Sequence, residues 1–284
     1  MGIDLSLAGQ TTTPIEHTYS WRDCVLYALG VGGHMPDDLE FLYEGRGPKV
    51  LPTFAVVPSF RTLVDIVGRL GASVTAVLHG EQKVVQHRPI PPSGTFTTTA
   101  TVKGIHDKGK GALVVVEAAT TDERGEPVFD NVFSIFVRGA GGFGGDRGPA
   151  ALSADPPERD PDFTFTERTS PTQAALYRLS GDLNPLHVAP EVATAAGFQH
   201  PILHGLCTYG YAGRAVLARA CGGDPARFRS LAARFSGVVF PGDELTTAGW
   251  EVEPGRFVVR VTKQDGTPVL TNSVAEVAAT AAAG

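Results

Sequence analysis

The 284-residue chain is sparing in cysteine, in charge and in long apolar runs. Its three cysteines, Cys24, Cys207 and Cys221, are an odd set without metal-ligand spacing. That argues against a disulfide framework and for a reducing compartment. No basic tract occurs and the net charge is −6, so composition offers no support for a nucleic-acid partner. No apolar run is long enough to span a membrane. The first residues, Met1-Gly-Ile-Asp-Leu-Ser-Leu-Ala, carry neither a basic n-region nor an apolar h-region. The expectation is a cytoplasmic protein with no membrane partner. Charged residues make up 19% and hydrophobic ones 42%, which fits about two globular domains with real cores.

What the chain does have is an echo of itself. Tyr27-Ala-Leu-Gly aligns with Tyr177-Arg-Leu-Ser, 150 residues on, and Leu51-Pro52 aligns with His200-Pro201, 149 on. Pro92 aligns with Pro241, and Gly125-Glu-Pro127-Val aligns with Gly266-Thr-Pro268-Val. Each match is weak, but chance similarity does not stay collinear. Between the halves lies the Gly139-Ala-Gly-Gly-Phe-Gly-Gly stretch, followed by Pro149, Pro156, Pro157 and Pro161. This composition marks a linker. The expected organisation is a degenerate N-terminal domain over 1–138, a linker over 139–161 and a C-terminal domain over 162–284.

Each half reads as one helix and several strands. From Gly205 to Cys221, Leu206, Gly210, Gly213, Leu217 and Ala220 recur at helical spacing, with the two glycines expected to admit a sheet closely. Val-, Thr- and Phe-rich segments at 229–239, 243–252, 256–264 and 269–277 read as strands, as do 73–78, 94–105, 111–121 and 128–138 in the first half. The first-half helix, 53–70, contains Pro58 and is expected to be short or broken there. Such a break, beside the apolar run Phe54-Ala-Val-Val57, would leave room for a long acyl tail. The fold class this predicts is α+β: an antiparallel sheet wrapped around one helix, twice in tandem.

The chemistry concentrates in Tyr177-Arg-Leu-Ser-Gly-Asp182-Leu-Asn184-Pro185-Leu-His187 and in His200-Pro-Ile-Leu-His204-Gly205. An Asp and a His five apart on a Gly/Pro-bounded loop can hold one water between them. A helix starting at Gly205 offers N–H groups to a developing oxyanion. The pattern suits adding water to, or removing it from, a carbonyl-conjugated substrate.

These motifs resemble the (R)-specific enoyl-CoA hydratases, the hydratase 2 or MaoC-like dehydratases, and within them the two-domain, double hot-dog type. The resemblance rests on Asp182-Leu-Asn-Pro-Leu-His187 with Pro201-Ile-Leu-His-Gly205. It extends to His79-Gly-Glu-Gln, His87-Arg-Pro and Asp107-Lys-Gly-Lys110-Gly-Ala in the first half. It implies reversible hydration of trans-2-enoyl-CoA to (3R)-3-hydroxyacyl-CoA, with no metal or redox cofactor, coenzyme A being part of the substrate. By the same resemblance Asp182 and His187 are the acid–base pair and Asn184 orients the pair or the thioester. The Gly205 N–H stabilises the oxyanion. His79, Gly80, Leu183, Pro185, Leu186 and Phe235 line the substrate path, and Lys108 meets the CoA phosphates. Lys110, Arg88 and Arg234 are further basic candidates for an anionic ligand on an acidic protein. Which of Asp182 and His187 takes the first proton is left open. The first half offers Gly32 and Asp37 at the loop positions, so one active site per chain is expected, within a homodimer.

Blander readings stand beside these. An Asp–His pair on a loop commonly caps or is solvated, and lysines such as Lys108 are commonly plain surface charges. His200 and His204 have metal-ligand spacing, but Pro201 between them favours local hydrogen bonding. Gly139–Gly145 lacks the Lys-Ser/Thr of a phosphate loop. Cys207, near a helix start, reads as a small packed residue rather than an activated thiol. Alternative functions are a (3R)-hydroxyacyl-ACP dehydratase, a hot-dog thioesterase and a non-catalytic acyl-CoA binder. The helix after Gly205 has no acid before Asp224, against the thioesterase. A binder does not need both Asp182 and His187.

Overall fold

The computed structural model describes residues 2–73 and 76–278. In the first half the strands are β1 (Ile15–Tyr19), β2 (Val77–Gln86), β3 (Gly94–Asp107), β4 (Gly111–Thr121) and β5 (Pro127–Arg138). In the second half they are β6 (Phe163–Arg168), β7 (Phe228–Phe235), β8 (Glu244–Glu253), β9 (Arg256–Lys263) and β10 (Pro268–Val277). The helices are α1 (Trp21–Gly30), α2 (Leu39–Leu42), α3 (Val56–Arg69), α4 (Gln173–Tyr177), α5 (Pro190–Ala195) and α6 (Gly205–Arg219).

All ten strands join one antiparallel sheet, ordered β1-β3-β4-β5-β2-β7-β10-β9-β8-β6. Counted from either edge to the centre, the two halves have the same order. They meet at β2 and β7, where Lys83 lies opposite Ala232. Those two residues are 149 apart, the spacing of the sequence repeat. The sheet curls around α3 in the first half and α6 in the second. Helix α3 buries one side, through Val56, Ser59, Thr62, Leu63 and Ile66, and leaves Val64 exposed. Helix α6 is buried from Leu206 through Leu217, because the first half covers the side that the sheet does not.

Three sequence expectations change. Strand β2 runs over 77–86, not 73–78, and Val74 and Thr75 lie outside the described residues. Its inward side chains include Gln82 and Gln86, which hide the apolar alternation a strand normally shows. Both are buried with donors satisfied: Gln82 Nε2 reaches Asn131 Oδ1 at 2.8 Å, and Gln86 Nε2 reaches the Pro225 carbonyl at 2.7 Å. Pro58 does not break α3. It sits in the first turn, where backbone N–H groups have no intrahelical acceptor to lose. Phe54, Ala55 and Val56 pack into the core, so the break expected to make room for an acyl tail is not there. The glycines of α6 admit the other half of the chain rather than the sheet. A Cβ at Gly210 would collide with Val31, and one at Gly213 with Thr53.

No helix or strand occurs between Arg138 and Phe163. This stretch is nevertheless tied down. The Asp107 carboxylate accepts from the N–H groups of Gly142 and Gly144 at 2.9 and 2.7 Å. Further on, Leu152 N–H donates to Glu81, and Ala154 N–H to Asn272.

Candidate active site

The second half supplies the loop. Asn184 is its organiser: its Oδ1 accepts from the Leu186 N–H at 3.0 Å, capping the single 3₁₀ turn Pro185–His187. Its own N–H donates to Asp182 Oδ1 at 3.2 Å. One residue thus fixes both ends of the Asp–His segment, and its Nδ2 is left without a partner among the described residues. Pro185 at the start of the turn presets the backbone. His187 Nδ1 lies 2.9 Å from the Ile202 carbonyl. A carbonyl can only accept, so Nδ1 carries the proton of the neutral ring and Nε2 presents a lone pair. Burial raises the Asp182 carboxyl and lowers the His187 imidazole, and the attraction between their charged forms opposes both shifts. The pair titrates as a unit.

Beneath the loop, α6 begins at Gly205. Its N-cap position is held by His204, whose side chain makes no cap bond. Cys207 and Thr208 donate to the His204 carbonyl, and the helix register leaves the N–H groups of Gly205 and Leu206 without an intrahelical acceptor. A Cβ on residue 205 would stand 3.2 Å from the Phe235 ring, so glycine keeps the approach to this N–H open.

The first half supplies a wall through a backbone irregularity. In β2, Glu81, Lys83 and Val85 face away from the helices, and strict alternation would send His79 with them. A β-bulge at Gly80 inserts one residue and turns His79 inward. Its ring then lies 4.9 Å from Phe235 and 5.8 Å from Phe133. Its Nε2 is 3.1 Å from the Glu81 carbonyl, and burial pushes its pKa down to about 4, so it is a neutral surface.

The remaining sequence candidates divide. Leu183 and Pro185 are exposed on the loop and Leu186 is half-buried. Lys108 and Lys110 sit on the β3–β4 hairpin, at the same end of the sheet as His79. That hairpin lies two to three strand spacings from β2, about 10–14 Å. Lys108 Nζ donates to the Pro149 carbonyl at 3.1 Å. Arg234 is opposite Glu81 and, next to the inward Phe235, faces the outside of the sheet. Arg88 is not brought to the site: it follows the far end of β2 and pairs with Asp122 at 2.7 Å. In the first half, Asp37 is exposed and pairs with His34, and nothing among the described residues there reproduces the acid–base loop.

His204 matters more to the site than its sequence context suggests. Its ring stacks on His187 with centroids 3.6 Å apart and planes 26° from parallel, and Tyr177 lies 4.9 Å away on it. Its Nε2 is 3.1 Å from the Asp182 carbonyl. Its place at the N-cap, usually a Ser, Thr, Asp or Asn position, is a signal of this in the sequence, beside its presence in the motif that ends at Gly205. Asp182, His187 and His204 each bring a possible ligand atom within 4.8 Å of the others. Convergent lone pairs are what an ion requires. The two imidazoles lie face to face and nearly parallel rather than converging edge-on, as two ligands of one ion would. His200 stands apart, edge-on to Phe240. Cys207 is buried, donates to the Gly30 carbonyl at 3.2 Å and is pushed far up by burial, so it is a packed thiol.

Two hot-dog units sharing one sheet, with one Asp182–His187 loop tied by His204 to one helix N-terminus, define the class: a double hot-dog protein of MaoC-like type. The MFE-2 hydratase 2 N-terminal domain model matches residues 17–139 and the MaoC like domain model matches 153–274. The chain is 41% identical to the probable enoyl-CoA hydratase 2 of Dictyostelium discoideum, over 92% of each chain. It is 44% identical to the 3-hydroxyacyl-thioester dehydratase Y of Mycobacterium tuberculosis, over 92% of this chain and 91% of that one. The crystal structure of a MaoC-like dehydratase from Phytophthora capsici superposes with a TM-score of 0.88 at 34% identity, covering 100% of both chains. The chain belongs to the MaoC-like hydratase 2 family.

Proposed function

We propose that the protein catalyses reversible syn hydration of trans-2-enoyl-CoA to (3R)-3-hydroxyacyl-CoA. The observation that carries this is the meeting of two devices: the Asp182–His187 pair on a capped loop, and the start of α6 at Gly205, linked by His204, which precedes Gly205 and reaches both the Asp182 carbonyl and the His187 ring. The relatives named as enoyl-CoA hydratases and hydroxyacyl-thioester dehydratases describe the two directions of such a reaction.

His187 is the base. Its Nδ1–H is held by Ile202, so Nε2 takes a proton from the water as the water oxygen bonds to C3. The π electrons move toward the thioester, and the Gly205 N–H receives the enolate oxygen, a donor worth about 3 kcal/mol in comparable sites. Asp182, whose carboxyl burial favours in its protonated form, gives its proton to C2. Water supplies the hydroxyl and restores the pair's proton, so the pair regains its starting charge after proton exchange. Both groups act from the same side, which makes the addition syn. His79 and Phe235 flank the thioester, Asn184 Nδ2 is a further donor toward it, and the Lys108–Lys110 hairpin receives the CoA phosphates. No metal or redox cofactor enters this scheme. The proposal includes a homodimer working in the cytoplasm.

The test is to mix the protein with trans-2-butenoyl-CoA and follow loss of the conjugated-thioester absorbance. Rapid loss is expected. No loss with the CoA ester, but turnover of the same acyl group on acyl carrier protein, would move the assignment to the carrier-protein dehydratase.

A further inference from the structure

The acid–base loop and the oxyanion donor come from separate stretches of chain, 23 residues apart between Asp182 and Gly205. Their spacing decides whether water and thioester meet in line, and displacement by about 1 Å can cost 10²-fold in rate. Two side chains join the two stretches: His187 reaches the Ile202 carbonyl, and His204 reaches back to the Asp182 end of the loop. His204 immediately precedes Gly205, its Nε2 is 3.1 Å from the Asp182 backbone carbonyl, and its ring lies flat against His187. The carbonyl accepts, so Nε2 carries the proton. This bond accounts for why the N-cap side chain leaves the helix N–H groups uncapped: the imidazole is turned up into the loop.

We propose that His204 is the positioning residue that fixes the acid–base loop at its working height above the oxyanion donor, through its Nε2–H bond to the Asp182 carbonyl and its stack on His187. It packs against the base and holds the backbone of the acid, and takes no part in proton transfer. The titratable or charged groups facing its ring are Asp182 and His187 from the loop, and Tyr177 and Arg178 from the segment before it. Burial foremost, with the nearby His187 and Arg178 charges, drives its pKa down to about 3. Its Nδ1 is buried with no hydrogen-bond partner. A neutral ring here keeps a second cation away from His187, which lets the base stay unprotonated at neutral pH.

Two substitutions separate positioning from packing. In His204→Gln the side-chain amide nitrogen takes the place of the imidazole Nε2 and can still donate to the Asp182 carbonyl. In His204→Phe the flat ring remains and the donor is gone. The expected result is that His204→Phe lowers kcat by about tenfold or more with KM for the enoyl-CoA changed by less than about twofold, while His204→Gln recovers most of the loss. Combined with Asp182→Asn, His204→Phe should add little further loss, because both act through one unit. If His204→Phe fails to fold, His204→Asn replaces it: its shorter amide cannot reach the carbonyl, and kcat should again fall below that of His204→Gln. Wild-type kcat in His204→Phe, or equal impairment of kcat in the Gln and Asn variants, would overturn the proposal. Failure of the hydratase reading shows separately, as wild-type protein that turns over no enoyl thioester.

Discussion

At the scale of the residue, burial governs the site. Asp182 carries a carboxyl that burial pushes upward, opposed by the His187 charge and the Asn184 N–H. Its function therefore costs stability. Asp182→Asn should lower kcat by about 10²-fold or more, and His187→Ala should do the same, as for other general acid–base groups. Asp182→Asn should also raise the melting temperature at neutral pH, because a raised native pKa makes the ionised form the less favourable one in the fold. The sign follows from linkage: the wild-type penalty grows as pH rises from the unfolded value of 3.8 up to the raised native value and stays constant above it, so the two proteins converge only as pH falls to 3.8. Melting curves at pH 8 and pH 4 check this. That Asp182, Asn184 and His187 come together with the start of the helix at Gly205 is legible in the sequence, because their types and order are restrictive. The role of His204 is not, since an imidazole bonded to a distant carbonyl leaves no mark in local spacing.

At the scale of the element, two devices bring the halves to one site. The bulge at Gly80 turns His79 inward, and the glycines of α6 let Val31 and Thr53 approach that helix. Helix α6 adds a third tie. Arg214 is buried, with Nη2 at 2.6 Å from Asp38 and Nη1 at 2.7 Å from Glu167, and it also donates to the Val31 carbonyl. Burial raises Glu167, a rise that Arg214 restrains. Removing one partner of a buried ion pair costs about 3–5 kcal/mol. Arg214→Ala should therefore lower stability by about that amount in denaturant unfolding, whereas Lys103→Ala, removing an exposed pair with Glu117, should cost less than about 1 kcal/mol. Helix α6 is readable from the helical spacing of its apolar residues, and β9 and β10 from their Val- and Thr-rich segments. Strand β2 is hard to place because its buried glutamines reverse the usual pattern, and Pro58 is a false break because a first-turn proline interrupts nothing.

At the scale of the whole molecule, the fold is one repeat used twice and made unequal. The repeat spacing in the sequence reappears as the β2–β7 register, so the tandem architecture is legible in the residues themselves. That the halves share a single sheet is not legible there, because it depends on a pairing between residues 149 apart. The protein holds the pKa of three histidines around the site below the usual value. His79 is held at about 4, His204 at about 3, and His187 below its usual value, each chiefly by burial. An unfolded histidine titrates near 6.5, so between about 6.5 and 4 the unfolded chain binds more protons and stability falls as pH drops. Unfolding free energy measured across that range should decline before most carboxylates titrate, and the slope should lessen in His79→Gln. In the proposed chemistry, one loop delivers a hydroxyl and a proton to the same face of the double bond. Hydration of trans-2-butenoyl-CoA in D₂O, followed by determination of configuration at C3 and C2, tests this directly. The expected product is the (3R) alcohol with deuterium and hydroxyl added syn; a (3S) product or anti addition would contradict the mechanism.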